Sequence, residues 1–171
     1  MIYTIGHSTH PPETFLELLR THGVGGVADV RIAPWSRRHP HFSQDALARF
    51  LAENGVVYRH FRDLGGLRKP RKDSINTAWQ HASFRGYADY METLPFRAAL
   101  DSLILFAAGV PTAIMCAEAV WWQCHRRLLA DALVVRGLAV HHILSASAPK
   151  AHQLSEFARI EGSSIAYPGL L

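Results

Sequence analysis

Five short apolar runs, separated by helix-forming segments, restrict the fold more than any other feature of this sequence. Ile2 to Ile5, Val27 to Val30, Val56 to His60, Val110 to Cys116 and Ala139 to Leu144 each read as a buried strand. The segments between them carry helix signals. Pro11 and Pro12 suit the first turn of a helix whose apolar face holds Phe15, Leu16, Leu18 and Leu19, and which Gly23 ends. Ser43 is the expected N-cap of a helix over residues 44 to 53, with Gly55 at its stop. Two further helices are expected at about 84 to 92 and 95 to 108, a continuous one from Trp121 to Arg136 stopped by Gly137, and a short terminal one within 149 to 159. This alternation predicts an α/β fold: single-domain, three-layer and Rossmann-like, a mostly parallel sheet of about five strands with helices on both faces. The expected strand order is 3-2-1-4-5. The first and fourth strands then flank the switch point, where ligands bind beyond the carboxyl ends of the strands.

A chain of 171 residues suits one domain over 1–171, with a basic loop at about 61–83 and a flexible tail at about 161–171. The longest apolar run, Ala99 to Ala117, is broken by Asp101, Ser102, Gly109, Pro111 and Thr112, so no membrane span is expected. The opening MIYTIGHS lacks the basic and apolar regions of a secretory signal. Two cysteines make no disulfide framework, and a reducing cytoplasm is the expected setting. The net charge of +4 admits an anionic partner, DNA or RNA among them. The oligomeric state is not legible.

If the strands assemble as expected, residues far apart in the chain converge on one rim. His7 and Ser8 leave the first strand, Asp29 and Arg31 the second, Cys116 and Glu118 the fourth. Arg31, with Ser36 and Arg37 behind it, offers the forked donor that anion recognition needs. Cys116 sits at a strand end before a helix, where backbone N–H groups and the helix dipole favour a thiolate; the other reading is a small buried hydrophobe. Cys124, placed inside the expected helix, gains less. The C-x7-C spacing is not that of a zinc site, and no metal or cofactor is expected. Glu118 reads as a dipole-complementing acid or as a site acid, His125 as a general base, and Arg126 as a phosphate or carboxylate fork. In the basic loop, Gly65 and Gly66 allow close backbone approach. Arg62, Arg68, Lys69, Arg71 and Lys72, near Tyr58, Phe61 and Trp79, resemble a surface for single-stranded nucleic acid. The catalytic candidates are thus Glu118, Asp29, Cys116 and His125. The binding candidates are His7, Ser8, Arg31, Ser36, Arg37, Gly65, Gly66, Arg68 and Arg126.

Several of these pieces form a recognisable series. It runs TIGHS at 4 to 8, DVR at 29 to 31 followed by Pro34, Ser36 and Arg37, and LGGLR at 64 to 68. It continues with FRGYADYM at 84 to 91, MCAE at 115 to 118 and CHRRLLADAL at 124 to 133. On these residues the chain resembles the family catalogued as domain of unknown function 488. The resemblance implies a compact α/β domain and singles out Cys116, Glu118, Cys124, His125 and Arg126 as motif positions; it supplies no reaction or substrate. A weaker likeness is to rhodanese and related phosphatase domains, where a DVR-like strand end also precedes a cysteine closing a later strand. The chain departs from them after Cys116, which is followed by Ala-Glu-Ala-Val-Trp-Trp rather than a small-residue loop leading to an arginine. The function expected from the residues is an enzyme acting on an anionic, nucleic-acid or nucleotide-like substrate, with base-removing hydrolysis as one form. A non-catalytic nucleic-acid-binding module and a cysteine-based redox or sulfur-handling protein are the alternatives.

Overall fold

The computed structural model describes residues 1–170. Its main sheet is built from β1 (Ile2–Gly6), β2 (Gly26–Asp29), β3 (Val57–His60), β4 (Thr112–Cys116), β5 (Val140–His142) and β6 (Lys150–Ala151). The helices are α1 (Pro12–Thr21), α2 (Gln44–Glu53), α3 (Ala82–Tyr90), α4 (Leu94–Gly109) and α5 (Arg126–Val135). β7 (Arg159–Glu161) and β8 (Ser164–Ala166) form a separate antiparallel ribbon.

Alternation along each strand sorts the side chains into two cores. Tyr3, Ile5, Val27, Ala113 and Met115 face α1 and α2, where Phe15, Leu19, Leu47 and Leu51 pack against them. Ile2, Ala28, Ile114 and Cys116 face the other way, against Tyr87 of α3, Phe96 and Leu103 of α4, and Leu129 and Leu133 of α5. The result is the expected three-layer, Rossmann-like arrangement. Gly55 (φ 74°) and Gly137 (φ 82°) adopt the left-handed conformation that ends α2 and α5. Ser43 holds the N-cap position of α2 through its backbone alone, since its side chain makes no capping bond.

The strand order is β3-β2-β4-β1-β5-β6, not 3-2-1-4-5. β4 lies between β1 and β2, parallel to both, and only β6 runs antiparallel. Strand patterning fixes which residues are buried but not whether a crossover skips a position, and here three crossovers skip one strand each. The winding nevertheless reverses between β1 and β4. The chain leaving β1 crosses one face through α1, and the chain leaving β4 crosses the other through α5. The switch point is therefore flanked by the two strands expected to flank it, and Gly6 and Cys116 face each other across it in register.

Two expected helices are corrected. Trp121–Gln123 forms a 3₁₀ turn, Cys124 is extended (φ −133°, ψ 153°), and α5 begins only after His125. Trp121 stacks flat on His142 of β5, with ring centroids 4.0 Å apart, and this contact outweighs helix propensity. Within 149 to 159, strand pairing replaces the terminal helix, because His152 is drawn down to Asp131 and His142. The tail carries the β7–β8 ribbon and a fully buried Tyr167; residue 171 of that tail lies outside the described residues. Among the described residues, no helix is long and apolar enough to cross a membrane.

Candidate active site at the sheet switch point

A cleft of about 1190 Å³ opens beyond the carboxyl ends of β1, β2 and β4. Of the residues selected from sequence, His7, Ser8, Arg31, Ser36, Gly66, Cys116, Glu118 and His125 line it; Asp29, Arg37, Gly65, Arg68 and Arg126 do not.

The floor is made by the two cysteines. Cys116 closes β4, and Cys124 precedes the N-terminus of α5. Their sulfurs lie 2.7 Å apart, both are free thiols and both are buried. Sharing one proton splits their acidities. The bond from Cys116, helped by His125 and by the Arg126 charge, pulls Cys124 down to about 3. The same bond and burial push Cys116 well above the ordinary thiol range. The split favours thiolate character on Cys124, whereas the sequence favoured Cys116. That preference rested on a helix running through Cys124; with the helix starting at Arg126, it is Cys124 that sits before the dipole. His125 lies beside it, with Nδ1 3.5 Å from the Cys124 sulfur. Its ring is held against Tyr87, and Gly66 makes room for it: a Cβ there would come within 2.9 Å of Nδ1.

Arg126 is not a rim residue. It is fully buried, its guanidinium donates to the Glu118 carbonyl, and its Nε has no partner. No carboxylate pairs with it among the described residues. It pins the loop that leaves β4, while its positive charge favours the ionised form of both thiols. Glu118 is exposed at the cleft edge, and no desolvating pocket surrounds its carboxylate.

Asp29 is also withdrawn from the chemistry. Fully buried, it accepts bonds from the Arg31 guanidinium (2.7 and 2.9 Å), the Arg31 amide and the Tyr58 hydroxyl (2.6 Å). Every lone pair is used. Burial raises the Tyr58 hydroxyl, and the Asp29 carboxylate raises it further. Arg31 is thus neutralised, and it also donates to the Phe42 carbonyl. Its Nη1 reaches His7 Nε2 at 3.3 Å, while His7 Nδ1 donates to the Ser8 carbonyl at 2.9 Å. Burial, aided by Arg31, lowers His7 to about 4, so the ring is neutral and serves as a fixed wall stacked on Phe42. Ser8 sits at φ 47°, a strained conformation of the kind that clusters at functional sites.

The other selected positions support the cleft from outside. Gly65 packs on Ile32; Arg68 donates to the Gly65 carbonyl and lies 3.7 Å over the Tyr90 ring. Arg37 covers the outer face of Trp35. Sequence reasoning missed Trp35, Arg38, His39, His81, Phe84 and Trp122, all of which line the cleft. The stretch IAPWSRRHPHF held part of that signal, but its lack of period concealed which of Arg37 and Arg38 turns inward. Among the described residues, no group of three or more His, Cys, Asp or Glu side chains is placed to hold a metal ion.

With this geometry in view, residues 11–133 match the family model described as Domain of unknown function DUF488. The chain belongs to this family. The DUF488 match covers Asp29, Arg31, both cysteines and Arg126, whereas His7 and Ser8 precede it and β5 to β8 follow it. No curated protein and no solved structure matches the chain.

Proposed function

We propose that this protein is an enzyme whose nucleophile is the Cys124 thiolate and whose substrate is an anionic molecule of nucleic-acid or nucleotide type. One observation carries the reading: a fully buried arginine, Arg126, has no carboxylate partner among the described residues and lies beside two touching cysteines. An unpaired buried cation is costly, and the cysteine pair on which its charge acts can supply the opposite one. A thiolate is the nucleophilic form of cysteine. Cys124 would attack an electrophilic centre of the substrate. His125, adjacent to the sulfur, would hand a proton to the leaving group, and water would release the adduct.

The substrate class follows from the walls. Arg38 is exposed and has no ion pair among the described residues, so it is available to meet an anion. Trp35, Trp122 and Phe84 offer flat faces on which a base could stack. Base removal through Glu118 has less support, since nothing fixes its exposed carboxylate. A pure binding role for the basic loop is also weaker: Arg68 is committed to Tyr90, and Arg71 pairs with Asp73 at 2.8 Å.

The test is alkylation of the native protein by iodoacetamide across pH, with a single-stranded oligonucleotide as competitor. Cys124 should react at a nearly constant rate from about pH 8 down to about pH 5, and the oligonucleotide should slow it. A rate that climbs about tenfold per pH unit toward pH 8.5 would reject the thiolate. An unchanged rate with the oligonucleotide would reject the substrate class.

A further inference from the structure

We infer that Cys116 and Cys124 also work as a dithiol–disulfide couple, oxidised by a hydroperoxide that enters the cleft and reduced by a small-molecule thiol. The inference rests on the thiolate reading above and extends it to the second cysteine, which the nucleophilic role leaves unused. Three features of the site support it. The two sulfurs already touch at 2.7 Å, so closing a bond of about 2.05 Å needs only a small shift. Both cysteines line the cleft, so an oxidant reaching one finds the other next to it. They are also unequal: Cys124 is held as the charged attacker, while Cys116 keeps its proton.

The Cys124 thiolate attacks the terminal oxygen of the hydroperoxide; an S–O bond forms, the O–O bond breaks, and the alkoxide or hydroxide leaves and takes a proton from solvent. Cys124 is then a sulfenic acid. The Cys116 sulfur attacks it, the S–S bond forms, and the departing hydroxide combines with the Cys116 proton as water. The two sulfurs have lost two electrons to the peroxide. Two molecules of a glutathione-type thiol return them through a mixed disulfide, leaving the oxidised thiol and the original dithiol.

Arg126 biases this couple. Oxidation removes the negative charge beside a buried guanidinium that has no carboxylate partner among the described residues, so the reduced form is the favoured one. The disulfide is therefore readily reduced, like other couples whose thiolate is stabilised.

The test treats the native protein with graded hydrogen peroxide and follows intact mass, dimedone labelling and peptide maps. The wild type should lose about 2 Da, give a Cys116–Cys124 linked peptide, take up no dimedone, and recover fully with glutathione. Cys116→Ser, which cannot resolve, should accumulate a dimedone adduct at Cys124. A wild type that gains about 16 or 32 Da, with no linked peptide, would overturn the couple. The linked-peptide readout uses wild type alone, so the result stands even if the variant folds poorly. A pH-independent alkylation rate together with no disulfide would sink the couple and leave the nucleophile. A steep alkylation profile would sink both.

Discussion

Arg126 converts a pair of buried thiols into a charged site. Its side chain is enclosed, its one side-chain hydrogen bond among the described residues goes to a neutral carbonyl, and in the proposed site its charge is met by a shared thiolate. Removing one member of a buried pair costs about 3–5 kcal/mol, because the remaining charge is stranded. Cys124→Ala should therefore lower stability by about 3 kcal/mol at pH 7, and Cys116→Ala by clearly less. Urea midpoints compare the two directly, and equal losses would mean that no charge resides on Cys124. The pH dependence has a definite sign. Cys124 is depressed to about 3, so its contribution is complete above the unfolded thiol value and fades as pH falls toward 3. His7 and His142 are depressed to about 4 and about 3, chiefly by burial. The unfolded chain binds their protons near pH 6.5, so their neutral burial also loses stability as pH drops below that value. All three act together. Calorimetry should show Tm falling by roughly 5 °C or more between pH 7 and pH 5, and a flat or rising Tm would contradict these assignments.

At the scale of elements, the segment from β4 to α5 defines the site. It is held to β1 by bonds from the His7 amide to the Cys116 carbonyl (2.9 Å) and from the Ser8 amide to the Ala117 carbonyl (3.0 Å). Gly6 permits this approach, since a Cβ there would collide with the Glu118 carbonyl. Gly66 does the same for His125 from the opposite wall. Gly66→Ala should displace the imidazole and slow Cys124 alkylation several-fold while moving Tm only slightly. Unchanged alkylation would show that His125 does not assist the sulfur. This segment is also where the sequence was least legible. The residues of α2 matched their expected span because an apolar period, a serine start and a glycine stop agreed locally. Residues 121 to 125 carry helix-compatible residues, but their conformation is set by the stack of Trp121 on His142, a partner in a different strand. A contact between distant positions leaves no period to read. The shift of the α5 start to Arg126, which leaves Cys124 just before the helix, goes with that contact.

At the scale of the whole molecule, the sheet brings the cysteines and the β1 and β2 exits together, and the C-terminal segment locks the far side. Asp131 of α5 accepts from His152 Nε2 (2.7 Å), the Ser155 hydroxyl (2.7 Å) and the Tyr167 hydroxyl (2.9 Å), all from residues beyond β5. Asp131→Asn should cost about 3 kcal/mol and free this segment to proteolysis, which limited digestion would reveal; resistance equal to wild type would count against the clamp. The switch point was legible because strand ends carrying His7, Asp29 and Cys116 mark one rim under either strand order. The exchange of β1 and β4 was not, because crossover length does not record how many strands are passed. The central claim is that Cys124 is ionised at neutral pH and below. Thiolate absorbance in the ultraviolet, titrated on wild type and on Cys124→Ser, tests it most directly. The account predicts about one thiolate per wild-type chain already present at pH 5, and none in the variant below the ordinary thiol range of about 8.5. A wild type that acquires its first thiolate only in that range would contradict it.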